Sequence, residues 1–188
     1  MIVSRAISEI AQGAYREPLQ PEALVEMIEE DKKGTIYEKI IHLKTGVLFG
    51  AACQLGAVAA GADDMLQSTW HSYGLKIGEA YQIADDLHEI ERCLHARIVM
   101  PEEMTSLSPA LLFFGGDSRC ILKMLRMEQS GCNTELLDYF QKAALEMKRH
   151  IEDRLRTAVY AIEGAVHDNE YGRLVRTAPW DIIRMFNE

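Results

Sequence analysis

From Leu136 onward the apolar positions recur as Leu136, Phe140, Ala144, Met147, Ile151, Leu155, Ala158 and Ile162. Steps of three and four sustained over that distance predict one long amphipathic helix. A second stripe, Trp70, Tyr73, Ile77, Ala80, Ala84, Leu87 and Leu94, predicts another from about Met65 to Leu94. Between the stripes the punctuation reads as helix ends. Pro18 and Pro21 flank a short loop, with Pro21 placed at a helix start. Gly34 closes a helix and Thr35 caps the next, and Gly61 ends an Ala/Gly-rich run that Asp63 or Asp64 follows as a cap. Pro101, Pro109 and Gly115-Gly116 break up a looser middle, Gly131 and Asn133 form another stop-and-cap pair, and Pro179 precedes a short terminal helix. No run alternates apolar and polar residues between turn signals. The pattern therefore predicts an all-α chain of long helices packed side by side, a single domain over 1–188.

Composition narrows the function classes. Apolar residues make up 48% of the 188 positions and charged ones 26%, which excludes disorder. The formal charge is −9, so general nucleic-acid binding and attachment to an anionic membrane are disfavoured, and an anionic substrate needs local compensation such as bound metal. Cys53, Cys93, Cys120 and Cys132 contain no CxxC pair, and the start MIVSRAISEIAQ lacks the order of a signal peptide. Reduced thiols and a cytoplasmic chain are the expectation. The uncharged stretch Gly46 to Ala62 is short for a membrane span, carries Gln54 and is mostly Ala and Gly. It is expected as a buried helix, with no transmembrane segment.

The helix from Met65 to Leu94 carries more than its stripe. At about 100° per residue, Gln82, Asp85, Asp86 and Glu89 fall in one arc opposite the apolar positions. Carboxylates so grouped repel one another unless they are solvated or hold a cation, and Mg²⁺ takes oxygen ligands of this kind. On spacing alone a solvated acidic face is the commoner meaning of such an arc. His88 points to the flank of the stripe, as a packing histidine does.

The wider sequence tips that balance. IYEKIIHLKTGVLFGAACQLGA, followed at helical distance by YGLKIGEAYQIADDL, resembles the trans-isoprenyl diphosphate synthases, or polyprenyl synthetases. The shared features are Tyr37, the pair Lys44-Thr45, a small-residue helix, Tyr73-Gly74, Gly78 before Tyr81-Gln82, and a second aspartate-rich motif read as Asp85, Asp86, Leu87, His88, Glu89. The resemblance covers most of Ile7 to Glu89.

It implies an antiparallel helix bundle of the isoprenoid synthase type around a deep cavity. There, two acidic motifs hold Mg²⁺ on an allylic diphosphate that ionises and is attacked by isopentenyl diphosphate. Carried onto this chain, it assigns Asp85, Asp86 and Glu89 to metal, and Lys44, Thr45, Gln82 and Tyr81 to substrate, the first three of these also to catalysis. It implies dimers through the helix around Ser4 to Gly13.

The departures define the rest of the expectation. The first aspartate-rich motif is absent from the sequence, which begins after the point where it would stand, so the bundle is expected to be incomplete on its N-terminal side. Asp63-Asp64 is no substitute, because helix capping explains it. The second motif ends in Glu89 where the family has Asp, and Ala14 follows Gly13 where the family tends to have Gln. Beyond Glu89, where the family usually carries a Lys and a Lys-Thr element, the stretch ERCLHARIVMPEEMTSLSP does not match it; Arg92 and Arg97 are the cations available there, and the dipole of a helix C-terminus explains them equally. The expected function is the C-terminal portion or subunit of a prenyltransferase. It would work as a homodimer, or as a heteromer with a chain carrying the first motif, and be inactive alone. The alternative is a non-catalytic partner that pairs with a full synthase or holds an isoprenoid.

Overall fold

The computed structural model describes residues 1–16, 26, 35–97, 101–116, 121 and 134–185. Every regular element among them is helical. In chain order these are α1 (Ile2–Arg16), α2 (Thr35–Ile41), a π-helical turn (His42–Gly46), α3 (Val47–Ala59), α4 (Asp64–Ala96), α5 (Pro101–Gly115), α6 (Thr134–Ile162) and α7 (Glu170–Arg184).

Helix α4 is the axis of the molecule. Its 33 residues span about 50 Å at 1.5 Å per residue, and α6 and α3 form its most extensive contacts. Both helices expected from the periodicity are present, with ends within two residues of those read from the pattern. Every member of the Leu136–Ile162 stripe is buried, and Phe140, Met147, Ala158 and Ile162 are fully so. Leu136 to Leu155 meet Ile83, Leu87 and Ile90 of α4 and Leu107 and Leu111 of α5 in the main core, while Ala158 and Ile162 pack with Tyr73 and Ile77 in a second cluster. Each large apolar side chain so buried is worth roughly 1.5–3 kcal/mol. Asp63 is the cap the sequence indicates: its carboxylate accepts from Leu66 N at 2.8 Å, after Gly61 has reversed the chain at φ +75°.

Two prolines depart from expectation. Pro109 lies inside α5 and Pro179 inside α7, which starts at an Asn169 cap. Proline removes the N–H that would bond the carbonyl four residues back. For Pro179 that carbonyl belongs to Val175, and the Tyr73 hydroxyl of α4 donates to it at 2.6 Å. The tertiary contact thus replaces the lost helical bond and docks α7 on α4. Pro18, Pro21, Gly34, Gly131 and Asn133 lie outside the described residues, as does the side chain of Thr35.

The apolar stretch expected to be buried is buried on one side only. Val47, Gly50, Ala51 and Ala57 face α1 and α4, whereas Leu48, Leu55 and Val58 are exposed. Among the described residues Ile36–Ala59 is the one helical stretch long and apolar enough to cross a membrane, with 39% of its most apolar window buried. Cys53 and Cys93 are free thiols.

Glycines set how closely α3 and the π turn approach α4. A Cβ on Gly74 would sit 2.3 Å from the Phe49 carbonyl oxygen, and one on Gly78 would sit 2.8 Å from that of Thr45. Gly74→Ala is therefore expected to lower stability by about 1–3 kcal/mol or more, because backbone must move. Gly56, with open space where its Cβ would be, is the control. Gly56→Ala should be neutral or stabilising by up to ~1 kcal/mol. Thermal melts of both variants check this, and equal melting temperatures would contradict the close packing.

Candidate functional site

The site grows from the π turn. Helix α2 and α3 form a continuous rod in which His42–Gly46 is wound one residue wider, with the Val47 N–H donating to the His42 carbonyl. Such turns disturb regular side-chain spacing and recur at functional sites. Here the turn carries Lys44 and Thr45, and Gly46 and Gly78 let it lie directly against α4.

A hydrogen-bond chain then links three elements. The buried Thr45 hydroxyl donates to Gln82 Oε1 at 2.7 Å. Gln82 Nε2 faces Asp86 Oδ1 at 3.1 Å and Asp85 Oδ2 at 3.3 Å, donating to both. From α2, the Tyr37 hydroxyl donates to the other Asp86 oxygen at 2.6 Å. Tyr37 is itself held by Phe113 and Phe114 of α5, with ring centroids 5.7 and 5.4 Å away. Lys44, Ser106 and Pro109 join Tyr37, Gln82 and Asp86 around a small cavity of about 20 Å³.

Electrostatics follow from this enclosure. Burial pushes the Asp86 carboxyl up to about 6. The Tyr37 and Gln82 donors and the Lys44 charge oppose that rise, and neighbouring Asp85 adds to it. The Tyr37 phenol is raised by burial and then by the Asp86 carboxylate, so it stays a donor. Asp85 is exposed at the rim of the same patch.

Not every candidate from the sequence joins the cluster. Glu89 forms an ion pair with Arg92, which also bonds Glu103 Oε1 at 2.7 Å. Tyr81 packs against Phe49 of α3, with ring centroids 5.4 Å apart. Arg97 takes a left-handed conformation at the end of α4, φ 54°. Among the described residues no group of three His, Cys, Asp or Glu side chains converges as a metal cage. Asp85 and Asp86 supply two carboxylates from one helix. That donor set suits Mg²⁺, which keeps several waters and completes its shell with substrate phosphates.

One group was missed from the sequence. Glu79 is buried, and its Oε1 meets His42 Nδ1 at 3.1 Å while Oε2 accepts from Lys76 Nζ at 2.9 Å and Arg154 Nε at 3.3 Å. Burial alone would raise its carboxyl, but these cations hold it below the usual range. The signal available was spacing: Glu79 precedes Gln82 by three and Asp86 by seven, so it shares their face. Nothing local points to Arg154.

The all-helical fold that carries this cluster midway along its axial helix is shared with solved isoprenyl diphosphate synthases. The heptaprenyl diphosphate synthase of Staphylococcus aureus superposes on 97% of this chain at a TM-score of 0.71 and 15% identity, with the chain covering 58% of that structure. The geranylgeranyl pyrophosphate synthetase of Pyrococcus horikoshii superposes on 97% at 0.69 and 17% identity, with 57% of its length covered. Residues 1–93, just under half of the chain, match the polyprenyl synthetase family, and over that stretch the chain belongs to the trans-isoprenyl diphosphate synthases. It is 43% identical to the geranylfarnesyl diphosphate synthase of Natronomonas pharaonis over 54 residues, 29% of this chain and 16% of that protein. It is 31% identical to the heptaprenyl diphosphate synthase component 2 of Bacillus subtilis over 86 residues, 46% of this chain and 23% of that one. These matches span about a quarter or less of the curated relatives' lengths.

Proposed function

We propose that this chain acts in isoprenoid biosynthesis as one wall of a prenyltransferase that joins isopentenyl diphosphate to an allylic diphosphate. The observation that carries this reading is the hydrogen-bonded cluster of Tyr37, Thr45, Gln82, Asp85 and Asp86 with Lys44 beside it. A scaffold has no need of these side chains together, with the half-buried Asp86 held between the Tyr37 hydroxyl and the Gln82 amide. In this reading Asp85 and Asp86 hold Mg²⁺, and Glu89 joins them on leaving Arg92. Mg²⁺ held by these carboxylates would supply positive charge against the departing diphosphate. Lys44 adds a cation to the same phosphates. Thr45 orients the Gln82 amide, which otherwise would turn freely between its two carboxylate partners. Tyr37 fixes the rotamer of Asp86. Tyr81 lines the approach beside Phe49.

The facing carboxylates of the second wall come from polypeptide outside these 188 residues, either the same protein or a partner chain. Support for a heteromer is the likeness to a protein named as component 2 of a synthase. Exposed Val3 and Ile7 on α1 offer an apolar face for pairing. Calorimetry tests the reading. The chain should bind Mg²⁺ weakly, and about tenfold or more tightly with pyrophosphate present, since one wall leaves most of the shell to other oxygens. Asp85→Asn and Asp86→Asn should each remove that gain. Unchanged binding in both variants would place any metal site elsewhere.

A further inference from the structure

About 10 Å along α4 from Asp86, the Glu79 cluster borders a cleft of about 510 Å³, open on one side. Its walls come from α2, the π turn, α4 and α6: Glu38 and Lys39, His42 and Leu43, Lys76 and Glu79, and Arg154. Cations outnumber carboxylates here by one, and by two when His42 is protonated, in a chain whose formal charge is −9. The imbalance is local and built. Glu79 is only 5% exposed and accepts from Lys76 and Arg154 through one oxygen, which aims both cations along the wall. Arg154 is further fixed by His150 at 3.2 Å and lies 3.9 Å from Glu38. Lys39 is exposed on the same rim and makes no ion pair among the described residues. The site described above relies on none of these side chains.

We propose that this cleft is a second, metal-independent anion site that takes a small phosphorylated organic molecule. Donors from three elements, converging from different directions, match a tetrahedral dianion better than a planar carboxylate. The volume exceeds that of a bare phosphate and falls in the range of small-ligand sites. Leu43 and the aliphatic stems of Lys39 and Lys76 supply an apolar wall for the organic part. Because the two carboxylates of the cleft, Glu38 and Glu79, already face Lys76 and Arg154, the anion meets cations directly and needs no Mg²⁺ here, unlike pyrophosphate at Asp85 and Asp86.

Calorimetry on the full 188-residue chain in excess EDTA tests this, with inorganic phosphate and glycerol phosphate as probes. Both should bind, the ester several-fold more tightly. Lys39→Ala and Lys76→Ala should each weaken binding about tenfold, the loss of one charge-assisted contact. Lys44→Ala should leave it within about twofold, since Lys44 is not in this cleft. Lys39 is exposed, so its removal spares the fold, and a melt of each variant confirms that. No binding in EDTA would overturn the proposal. So would loss on Lys44→Ala with none on Lys39→Ala, which would assign the phosphate to the Asp86 site and leave the prenyltransferase reading standing. Equal affinity for phosphate and the ester would overturn the organic part. Failure of Mg²⁺-pyrophosphate binding with these results intact would sink only the prenyltransferase reading.

Discussion

Purified alone, the 188-residue chain incorporates no labelled isopentenyl diphosphate into an allylic product, and mixing it with a polypeptide that carries the facing carboxylates restores incorporation. That is the expected result, and its size follows from charge. The leaving diphosphate must be neutralised from both sides, and removing a single well-placed electrostatic donor already costs on the order of 10²–10³ in rate. One wall offers Asp85 and Asp86, with Glu89 tied to Arg92. No other carboxylate pair among the described residues takes the second place: Asp63 is occupied in capping α4. An open site would also admit water to capture the allylic cation. In the mixture Lys44→Ala should lower activity by about tenfold or more, whereas Asp63→Asn should not, because asparagine caps a helix as well as aspartate. Robust turnover by the chain alone, abolished by Asp85→Ala, would show that one wall suffices and would overturn this account.

Periodicity exposed the helices because their contacts are local in sequence. The Leu136–Ile162 stripe and the helix through Gln82 and Asp86 are set by spacings of three and four, and nothing in the tertiary structure contradicts them. Pro179 misled for the complementary reason. Proline marks a break unless a distant group repairs the backbone, and Tyr73, 102 positions before Val175, is invisible to any local pattern. The same limit applies at the site. Residue types at Lys44-Thr45 and Gln82 to Asp86 are legible from the family resemblance. That Tyr37 belongs with Asp86, and that a π turn delivers Thr45 to Gln82, depends on how α2 crosses α4. The apolar face of α3 shows a further limit: composition gave its apolarity but not which side would remain uncovered. Glu79 is the clearest case. Its partners His42 and Arg154 are 37 and 75 positions away, so a buried ion cluster looked in sequence like an ordinary helical glutamate.

Lowering the pH from 7 to 5 should weaken Mg²⁺-pyrophosphate binding, and Tyr37→Phe should move the midpoint of that loss upward. Asp86 titrates near 6 because burial disfavours its charge, so at pH 5 it is mostly protonated and at pH 7 mostly ionised. A cation must displace that proton, and competition at one group with this value costs about tenfold over the two units. Stability of the unliganded chain moves the opposite way. The folded-state value lies above the ordinary 3.8, so the contribution is most favourable below 3.8 and is lost as pH rises through 6. A bound cation removes that cost, and Mg²⁺ with pyrophosphate should therefore raise the melting temperature more at pH 7 than at pH 5. Tyr37 supplies the hydrogen bond that favours the ionised carboxylate. Phenylalanine keeps the ring against Phe113 and Phe114 and deletes only that donor. Asp86 in the variant then holds its proton to higher pH, and binding begins to fail earlier on acidification. Pyrophosphate takes up protons in the same range, but it does so equally with either protein, so the difference between the two curves isolates Asp86. Superimposable curves for wild type and Tyr37→Phe would mean that the ion binds without Asp86, and the wall proposed for the diphosphate would have to be sought on another helix.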